Sequence, residues 1–217
     1  MSTLTKLALG VMGRLRAAPP RGDSATAITL PPPVTEGGLP LLDALRRRGS
    51  ERDFRPDPLS DAQLSGLLWA AFGVNRPNVH GRTAPSAVNA QEIAIYVALP
   101  QGAYRYDPDH HRLELVVSTD VRRVTGYQDF VDGAPLDLVY VADHTKLALV
   151  PVAQRTLYAA ASAGAIAQNV YLYCASEGLG TVIRAWIDRD ALAEALGLPH
   201  DDQILLAQTV GLPRQPA

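Results

Sequence analysis

The feature that most constrains the fold is a long helical pattern from Gln154 to Glu177, which is rich in small side chains. Every residue from Ala159 to Ala165 is alanine, serine or glycine. Small side chains let a neighbouring backbone approach closely, because the distance between packed elements depends on the side chains at their contact. We therefore expect this helix to lie buried against a sheet, or against its twin in a dimer. Gly178, which directly follows, is typical of a helix end.

A second pattern excludes a regular alternation of helices with parallel strands. Residues 103–107 and 113–117 have the composition of two short strands, with Pro108 and Asp109 in the polar turn between them. Such a hairpin requires antiparallel pairing. Further apolar, β-prone runs predict buried strands at 93–99, 136–142, 181–187 and 203–210. We expect an α+β domain in which helices flank a central, mostly antiparallel sheet of about four or five strands.

Composition excludes several classes of function. The chain has 217 residues, enough for one domain with a sizeable core. Its formal net charge is -2 and its pI about 6.2, whereas a general nucleic-acid binder is basic. The single cysteine, Cys174, excludes an intramolecular disulfide and a Cys-rich metal site, and we interpret it as a small core residue. Adjacent His110 and His111 point to opposite faces of a strand, so we expect no metal site there.

Residues 1–38 differ in composition from residues 39–217, which we assign to the main domain. The run Pro31-Pro32-Pro33 and the surrounding Gly, Ser and Thr predict an extended lead-in that crosses the surface outside the core. The short apolar run after Lys6 predicts a weakly amphipathic helix or a mobile arm. Export through this segment is the alternative, although two arginines interrupt the apolar run. No stretch reaches the roughly 18 apolar residues of a transmembrane helix, so we expect a cytoplasmic protein that does not bind membranes.

Residues 46–54, Arg-Arg-Arg-Gly-Ser-Glu-Arg-Asp-Phe, form a basic run in a chain of nearly balanced charge, and we call it the arginine segment. It lies between a short helix predicted at 39–48 and a helix whose start is marked by the capping-box pair Ser60 and Gln63. Arginine offers a permanent charge and a planar fork of donors suited to phosphate or carboxylate. By itself, such a run favours a solvated helix end that complements the C-terminal dipole.

Other polar motifs are ambiguous. The loop at 75–90 contains hydroxyl and amide side chains, which favour turns, and the alternative is a ring of hydrogen-bonding groups for a polar ligand. The sequence contains no nucleophile elbow, P-loop or zinc motif, and Gly178-Leu179-Gly180 follows a helix rather than a strand. No side chain stands out as a nucleophile or base, so an enzyme with this sequence would rely on a cofactor for its chemistry.

Taken in order, the motifs between Leu39 and Arg214 resemble the nitroreductase family of flavin enzymes. The arginine segment is followed by the capped helix and by the loop Pro85-Ser86-Ala87-Val88-Asn89-Ala90-Gln91. The later motifs are Ala163-Gly164-Ala165, Glu177-Gly178-Leu179-Gly180-Thr181 and Gly211-Leu212-Pro213. Two stretches, Arg82 to Ser86 and Tyr104 to Asp107, are similar to the branch that includes azoline-oxidising dehydrogenases.

The resemblance implies a homodimer with FMN bound at the subunit interface. In the arginine segment it assigns Arg48 and Ser50 to the phosphate and ribityl chain and Arg52 to the pyrimidine edge. Gly49 can offer only its backbone, and Arg46 and Arg47 keep their solvated interpretation.

The remaining implied ligands come from two other parts of the sequence. The loop of the other subunit would contact the flavin ring, and its assigned residues are Pro85, Ser86, Ala87, Asn89 and Gln91. Gly180, Thr181 and Arg184 would lie near the ring, where the cofactor could supply the anion that an arginine in an apolar strand needs. Arg214 is the candidate for a second phosphate cation. Many members of the family continue beyond this position into an extension that embraces the partner, so residues 1–38 are our candidate for that arm.

The implied activity is ping-pong oxidoreduction, in which NAD(P)H reduces FMN and FMN then reduces a nitroaromatic, quinone or similar small acceptor. Flavin N5 carries the chemistry, so no catalytic side chain is assigned. One alternative is the opposite direction, an FMN-dependent dehydrogenase that oxidises an azoline-type substrate. Another alternative is a flavin-binding protein without turnover.

Overall fold

The computed structural model describes residues 1–20 and 24–214. The helices are α1 (Thr3–Val11), α2 (Leu41–Arg47), α3 (Asp61–Phe72), α4 (Val152–Glu177) and α5 (Arg189–Leu196). The strands are β1 (Ala27–Thr29), β2 (Val74–Arg76), β3 (Gly81–Arg82), β4 (Ile93–Leu99), β5 (Gly102–Asp107), β6 (Arg112–Val117), β7 (Leu136–Asp143), β8 (Gly180–Arg184) and β9 (Asp202–Gly211).

A seven-stranded sheet forms the centre of the molecule, in the order β1-β6-β5-β4-β7-β9-β8. Each neighbouring pair in it is antiparallel, which confirms the α+β class and the antiparallel sheet. The expected count of four or five strands is wrong, because all six predicted runs join one sheet and β1 adds a seventh strand at one edge. β1, at one edge, has three residues and lies in a segment whose composition gave no strand pattern. The strands β2 and β3 form a separate two-stranded ribbon.

The N-terminal part of the chain takes part in the core. Residues Ala27–Thr29 pair with β6, and the side chains of Leu15 and Leu30 are buried. The prediction that this lead-in stays outside the core is therefore wrong for Leu30, which is buried, and for β1, which joins the sheet. The extended backbone that its composition favours is also the backbone of a strand, and the open edge of β6 offers it hydrogen-bond partners. Residues 21–23 lie outside the described part, and the wrapping of a partner subunit by residues 1–38 stays a prediction.

The helix α1 confirms the expected N-terminal helix and is anchored by a buried lysine. The Lys6 ammonium donates to the Gln128 carbonyl at 2.8 Å and forms an ion pair with Asp132. Burial lowers the pKa of Lys6, and the hydrogen bond and charge of Asp132 oppose that shift. Since a buried ammonium is costly without such partners, the contacts with Gln128 and Asp132 fix the helix against the domain.

Helices cover both faces of the sheet. On β4, Ile95 and Val97 belong to the core cluster that includes α3 and α4, whereas Tyr96 and Ala98 belong to the cluster that includes α5. This alternation follows from the period of two in a strand, which sends successive side chains to opposite faces. The sheet therefore forms the middle layer of the domain.

The helix α3 begins as the sequence predicts. The Gln63 backbone N–H donates to Ser60 Oγ at 3.2 Å, and the Ser60 N–H donates to Gln63 Oε1 at 3.0 Å. This reciprocal pair satisfies two backbone donors that a helix start otherwise leaves open. The apolar face of the helix is buried, as predicted, through Leu64, Leu67, Leu68, Ala71 and Phe72.

The helix α4 buries one face and exposes another. Ala159, Ala163 and Val170 pack into the core, which confirms the expected burial of this helix. Gly164 lies on the exposed side, where a side chain added at its Cα would meet no atom within 4 Å. Small residues therefore occur on both faces of the helix. In the part of the chain that the structure describes, none of the helices combines the length and apolar character needed to cross a membrane.

Candidate functional site

A cavity of about 630 Å³ opens between the C-terminal part of α4, the arginine segment, and the ends of β8 and β9. Its wall combines cations, backbone and apolar side chains. The polar and charged wall residues are Arg47, Ser50, Glu51, Arg55, Tyr171, Thr181 and Arg214. The remaining wall residues are small or apolar, and they are Gly49, Cys174, Ala175, Gly178, Leu179, Gly180, Leu212 and Pro213.

The arginine segment is held against the edge of the sheet. The Glu51 N–H donates to the Thr181 carbonyl at 2.9 Å, and the Arg55 N–H donates to the Leu212 carbonyl at 2.9 Å. Gly180 permits this approach, because a Cβ at that position would lie only 2.7 Å from Glu51 Cγ. The backbone after α2 therefore runs beside β8, and its side chains reach the cavity.

The cavity wall carries more positive than negative charge. Arg47, Arg55 and Arg214 are permanently charged, and Glu51 is the single carboxylate on the wall. The Glu51 carboxylate is occupied by the backbone N–H groups of Arg52 and Asp53, both at 2.7 Å. An anion of modest size would therefore find cations available at this wall.

Two of these cations are partly neutralised by the fold. Arg214 donates to Asp53 Oδ1 at 2.9 Å and to the Phe54 carbonyl at 3.2 Å. Arg55 lies 3.7 Å from an Asp57 carboxylate oxygen, with both side chains about half exposed. Such exposed pairs are weak, because solvent screens them. They leave these guanidinium groups able to exchange partners.

The structure brings together part of the predicted site. Five of the predicted ligands lie on the cavity wall, and they are Gly49, Ser50, Gly180, Thr181 and Arg214. Arg47, predicted to be solvated, is exposed, and it also borders the open cavity. Arg48 does not line the cavity directly, because its guanidinium lies over the ring of Tyr171, 5.4 Å from the centroid. Arg52 is exposed and does not line the cavity.

Tyr171 connects the arginine segment to the rest of the fold. Its hydroxyl accepts the Ile183 N–H at 3.0 Å and is hydrogen-bonded to Ser50 Oγ at 2.9 Å. Its ring lies beneath Arg48. One side chain of α4 therefore positions two of the predicted phosphate ligands. The sequence signals only that Tyr171 lies on the buried face of a small-residue helix, and the contact depends on tertiary structure.

Arg184 corrects one prediction. Its anion is the buried carboxylate of Asp137, to which its Nη2 donates at 2.7 Å. It also donates to the Thr125 carbonyl at 2.7 Å and to Thr209 Oγ1 at 3.1 Å. Burial lowers the pKa of Arg184, and the Asp137 carboxylate opposes that shift. The fold itself satisfies this arginine, so it does not need a cofactor as its counterion.

The second set of predicted ligands lies on a separate loop. None of Pro85, Ser86, Ala87, Asn89 and Gln91 lines the cavity described above. Val88, Asn89 and Gln91 have positive φ angles of 48°, 54° and 51°, which are unusual for residues other than glycine. Strained backbone of this kind clusters at functional sites. Val88 is moreover β-branched and 72% exposed.

Cys174 confirms its predicted place in the core, with 1% of its surface exposed. Burial in these surroundings raises the pKa of the thiol well above its ordinary value. A thiol held in its neutral form is a poor nucleophile. Over residues 1–20 and 24–214, no group of three or more His, Cys, Asp or Glu side chains could hold a metal ion.

Comparison with known proteins assigns the chain to a family. A model of the nitroreductase family matches residues 45–212. The chain belongs to the nitroreductase family. The matched residues include the arginine segment, the loop before β4, β8 and the cavity wall except Pro213 and Arg214. The comparisons thus support an oxidoreductase of the nitroreductase family.

Individual members support this assignment over most of the chain. A protein of Methanocaldococcus jannaschii is 31% identical over 163 residues, which are 70% of this chain and 82% of that protein. A crystal structure from Ralstonia eutropha is 51% identical with a TM-score of 0.88, and the match covers 93% of this chain and 96% of that one. Both proteins carry the description "putative nitroreductase".

A more distant structure shares the fold alone. The NADPH:FMN oxidoreductase of Vibrio harveyi, solved as a complex with NAD+, is 23% identical with a TM-score of 0.59. The match covers 81% of this chain and 70% of that chain.

Proposed function

We propose that the chain is an FMN-dependent oxidoreductase whose cofactor binds in the cavity beside the arginine segment. The observation that carries the proposal is the wall itself, where three arginines border a small-residue and apolar surface. Its volume of about 630 Å³ falls within the range of cofactor pockets. The family supports this use of the site, because a more distant member of the same fold is an NADPH:FMN oxidoreductase.

The wall residues fit the chemistry of FMN. A phosphate is best recognised by charge-assisted hydrogen bonds, which Arg47, Arg55 and Arg214 on the wall could donate, together with Arg48 beside it. Ser50 adds a hydroxyl that Tyr171 holds in place. The resemblance assigns Arg48 and Ser50 to the phosphate and ribityl chain, and the structure adds Arg47 and Arg55 as candidates.

The apolar part of the wall suits the flat ring system. Leu179, Leu212 and Pro213 offer apolar surface, and Gly180 lets a ring approach the backbone of β8 closely. The resemblance assigns Arg52 to the pyrimidine edge, where a guanidinium would favour the negative charge of a reduced ring. Arg52 is exposed beside the cavity and is not part of its wall. When bound, FMN would take a hydride from NAD(P)H and pass it to a nitroaromatic, quinone or similar small acceptor. The protein would position both reactants and exclude water.

A homodimer would complete the site. Several apolar side chains are exposed on α2 and around the beginning of α4, where soluble monomers rarely leave a large apolar patch open. They are Leu41, Leu42, Leu45, Leu149, Val152 and Leu157. The open helix face at Gly164 would allow another backbone to approach. We propose that these surfaces pair, so that the loop at 85–91 of each subunit faces the cavity of the other.

The test is anaerobic reduction of the FMN-loaded protein by NADH and by NADPH. We expect at least one of them to bleach the flavin absorbance, which lies at about 450 nm for any bound flavin. A quinone or a nitroaromatic should then restore the absorbance. A protein that retains no FMN after loading would overturn the proposal.

The same experiment separates the alternative functions. If the protein binds FMN and neither nicotinamide bleaches it, the reductase assignment fails while the flavin assignment stands. An azoline-type substrate that bleaches the flavin would then identify the dehydrogenase, with oxygen as the reoxidant. Bound FMN that no reductant bleaches would indicate a flavin-binding protein without turnover.

A further inference from the structure

The loop that precedes β4 has a directional hydrogen-bond network. Arg82, on β3, donates through Nε to Gln91 Oε1 at 2.9 Å. The Gln91 amide then donates through Nε2 to Asn89 Oδ1 at 3.3 Å and to the His80 carbonyl at 2.7 Å. The Gln91 backbone N–H also donates to Ser86 Oγ at 3.0 Å. Three of the predicted flavin ligands are thus joined to one arginine.

The direction of this network follows from the chemistry of arginine. A guanidinium can only donate, so the Gln91 atom that faces Arg82 must be the carbonyl oxygen. The amide nitrogen of Gln91 must therefore face the other way, toward His80 and Asn89. Because that nitrogen donates, the Asn89 atom that meets it must be the carbonyl oxygen. The Asn89 amide nitrogen, with its two hydrogens, is then directed away from the network.

Both amide hydrogens of Gln91 are used inside the loop. Gln91 therefore cannot donate to a flavin in this arrangement, although the resemblance assigned it a contact with the ring. The side-chain donors that remain among residues 85–91 are the Asn89 amide hydrogens and the Ser86 hydroxyl hydrogen. An isoalloxazine ring presents several acceptors, so it suits donors of this kind.

Arg82 is held firmly enough to set this direction. Its side chain is 8% exposed, its Nη2 donates to Asp109 Oδ2 at 3.1 Å, and its guanidinium lies 5.9 Å from the centroid of Phe72. Asp109 belongs to the turn between β5 and β6, and Phe72 ends α3. The guanidinium of Arg82 donates to Gln91 in the loop and to Asp109 in the hairpin at the same time. A lysine ammonium lacks the planar set of donors that suits two such partners.

We propose that Arg82 is a positioning residue, which acts through Gln91 to turn the amide hydrogens of Asn89 toward the flavin ring in the partner subunit's cavity. The inference rests on the proposed function, because it concerns the same cofactor. In this proposal Arg82 contacts neither cofactor nor substrate. It determines the direction of the Asn89 amide group, which contacts the flavin.

A double-variant cycle on FMN affinity tests the inference, with the dissociation constant measured by flavin fluorescence for the full chain. Arg82→Met should weaken FMN binding by about five- to tenfold, the effect of one lost hydrogen bond. Asn89→Leu should weaken it by a similar factor. Combined with Asn89→Leu, Arg82→Met should have little further effect, because its consequence passes through Asn89. The matched control is Arg105→Met, which should leave FMN affinity unchanged. Arg105 is exposed on β5 and forms no ion pair with residues 1–20 or 24–214.

The outcomes distinguish failure of the proposed function from failure of the positioning role of Arg82. If the wild-type chain binds no FMN, the proposed function fails and this inference fails with it. If it binds FMN and Arg82→Met leaves the affinity and the visible flavin spectrum unchanged, only the positioning role is overturned. An Arg82→Met effect that persists undiminished beside Asn89→Leu would also overturn it, because a general weakening of the fold gives that pattern. If Arg82→Met does not fold, Gln91→Met replaces it in the same cycle with the same criteria, because it removes the Nε2 donor that orients Asn89.

Discussion

Arg184 and the arginines of the cavity wall carry the same charge in very different surroundings. Arg184 is 5% exposed and pairs with the buried Asp137, whose second oxygen accepts the Thr125 hydroxyl at 2.9 Å. Arg47 and Arg48 line or flank an open cavity and form no ion pair with residues 1–20 or 24–214, and the partners of Arg55 and Arg214 are exposed. The comparison teaches that Arg184, whose carboxylate partner comes from the fold, contributes to the stability of the folded chain. The arginines at the cavity have no buried carboxylate partner, so their charge is available to a ligand.

The largest expected effect comes from removing the internal anion. Asp137→Ala should lower the free energy of unfolding by about 3–5 kcal/mol, because it leaves a buried guanidinium uncompensated. Urea unfolding of the purified chain measures this change. The double variant Asp137→Leu with Arg184→Met should recover much of the loss, since it removes both charges. A loss below about 1 kcal/mol in Asp137→Ala would contradict the structural role of the pair.

The opposite pattern is expected for the arginine segment. Arg48→Ala should weaken FMN binding at least about tenfold, because a lost charged hydrogen bond typically costs 1.5 kcal/mol or more. Its effect on unfolding should be small, since the side chain is exposed. Arg46→Ala is the matched control, because Arg46 pairs with Asp43 within its own helix and lies off the cavity wall. Unchanged FMN affinity in Arg48→Ala would remove this residue from the site.

Tyr171 contacts both the core and the arginine segment, so removing its hydroxyl should lower both the free energy of unfolding and the affinity for FMN. Tyr171→Phe leaves the Ile183 N–H without its acceptor and releases Ser50, so we expect a loss of about 1–2 kcal/mol in unfolding free energy. FMN affinity should fall about threefold. The control is Tyr173→Phe, because among residues 1–20 and 24–214 the Tyr173 hydroxyl has one long hydrogen bond, of 3.4 Å, to the Gln63 carbonyl. Equal effects of the two variants would show that Tyr171 does not position the arginine segment.

A smaller, pH-dependent effect should come from another group that the fold satisfies internally. Ser65 Oγ donates to the Pro31 carbonyl at 2.6 Å, so His111 Nε2 must donate to Ser65, at 2.8 Å. His111 Nδ1 then accepts the Tyr106 hydroxyl at 2.9 Å, which requires a neutral ring. Burial lowers the pKa of His111 below its ordinary value of 6.5, and the hydrogen bond with Pro31 opposes the shift.

The sign of the pH effect follows from that shift. Below pH 6.5 the unfolded chain binds a proton at His111 that the folded chain resists, so stability falls as the pH falls. The slope cannot exceed about 1.4 kcal/mol per pH unit. Urea unfolding between about pH 7 and pH 5.5, the window below the ordinary histidine pKa, should show the loss in the wild type. His111→Gln should show a smaller pH dependence, and an identical dependence in both proteins would refute the assignment.

Local features of the fold could be predicted from the sequence because they depend on residues that are close in the chain. The capping box of Ser60 and Gln63, the hairpin of β5 and β6 and the buried face of α3 are of this kind. The strand β1 was missed because an extended segment reveals no pattern until an open sheet edge lies beside it. The count of strands therefore required the structure.

The site could be predicted only in part, for a similar reason. The motifs located Ser50, Gly180 and Thr181, whose backbone neighbourhood is local to the segment and to β8. Whether Arg47 or Arg48 meets the cavity depends on how α2 ends, and the pairing of Arg184 with Asp137 joins residues 47 positions apart. Such contacts are decided by tertiary packing, which the order of motifs does not reveal.

The central claim is that the wall arginines recognise the phosphate of FMN, and parallel titration with FMN and riboflavin tests it most directly. The two ligands share a ring system and differ by the phosphate. We expect saturable binding of a single FMN per chain and riboflavin affinity lower by about a hundredfold, the loss of two charged hydrogen bonds. The difference between FMN and riboflavin affinity should narrow in Arg47→Ala, which removes a wall arginine, and in Arg48→Ala, which removes the arginine beside the wall. Riboflavin binding as tight as FMN binding, or no flavin binding at all, would contradict the account.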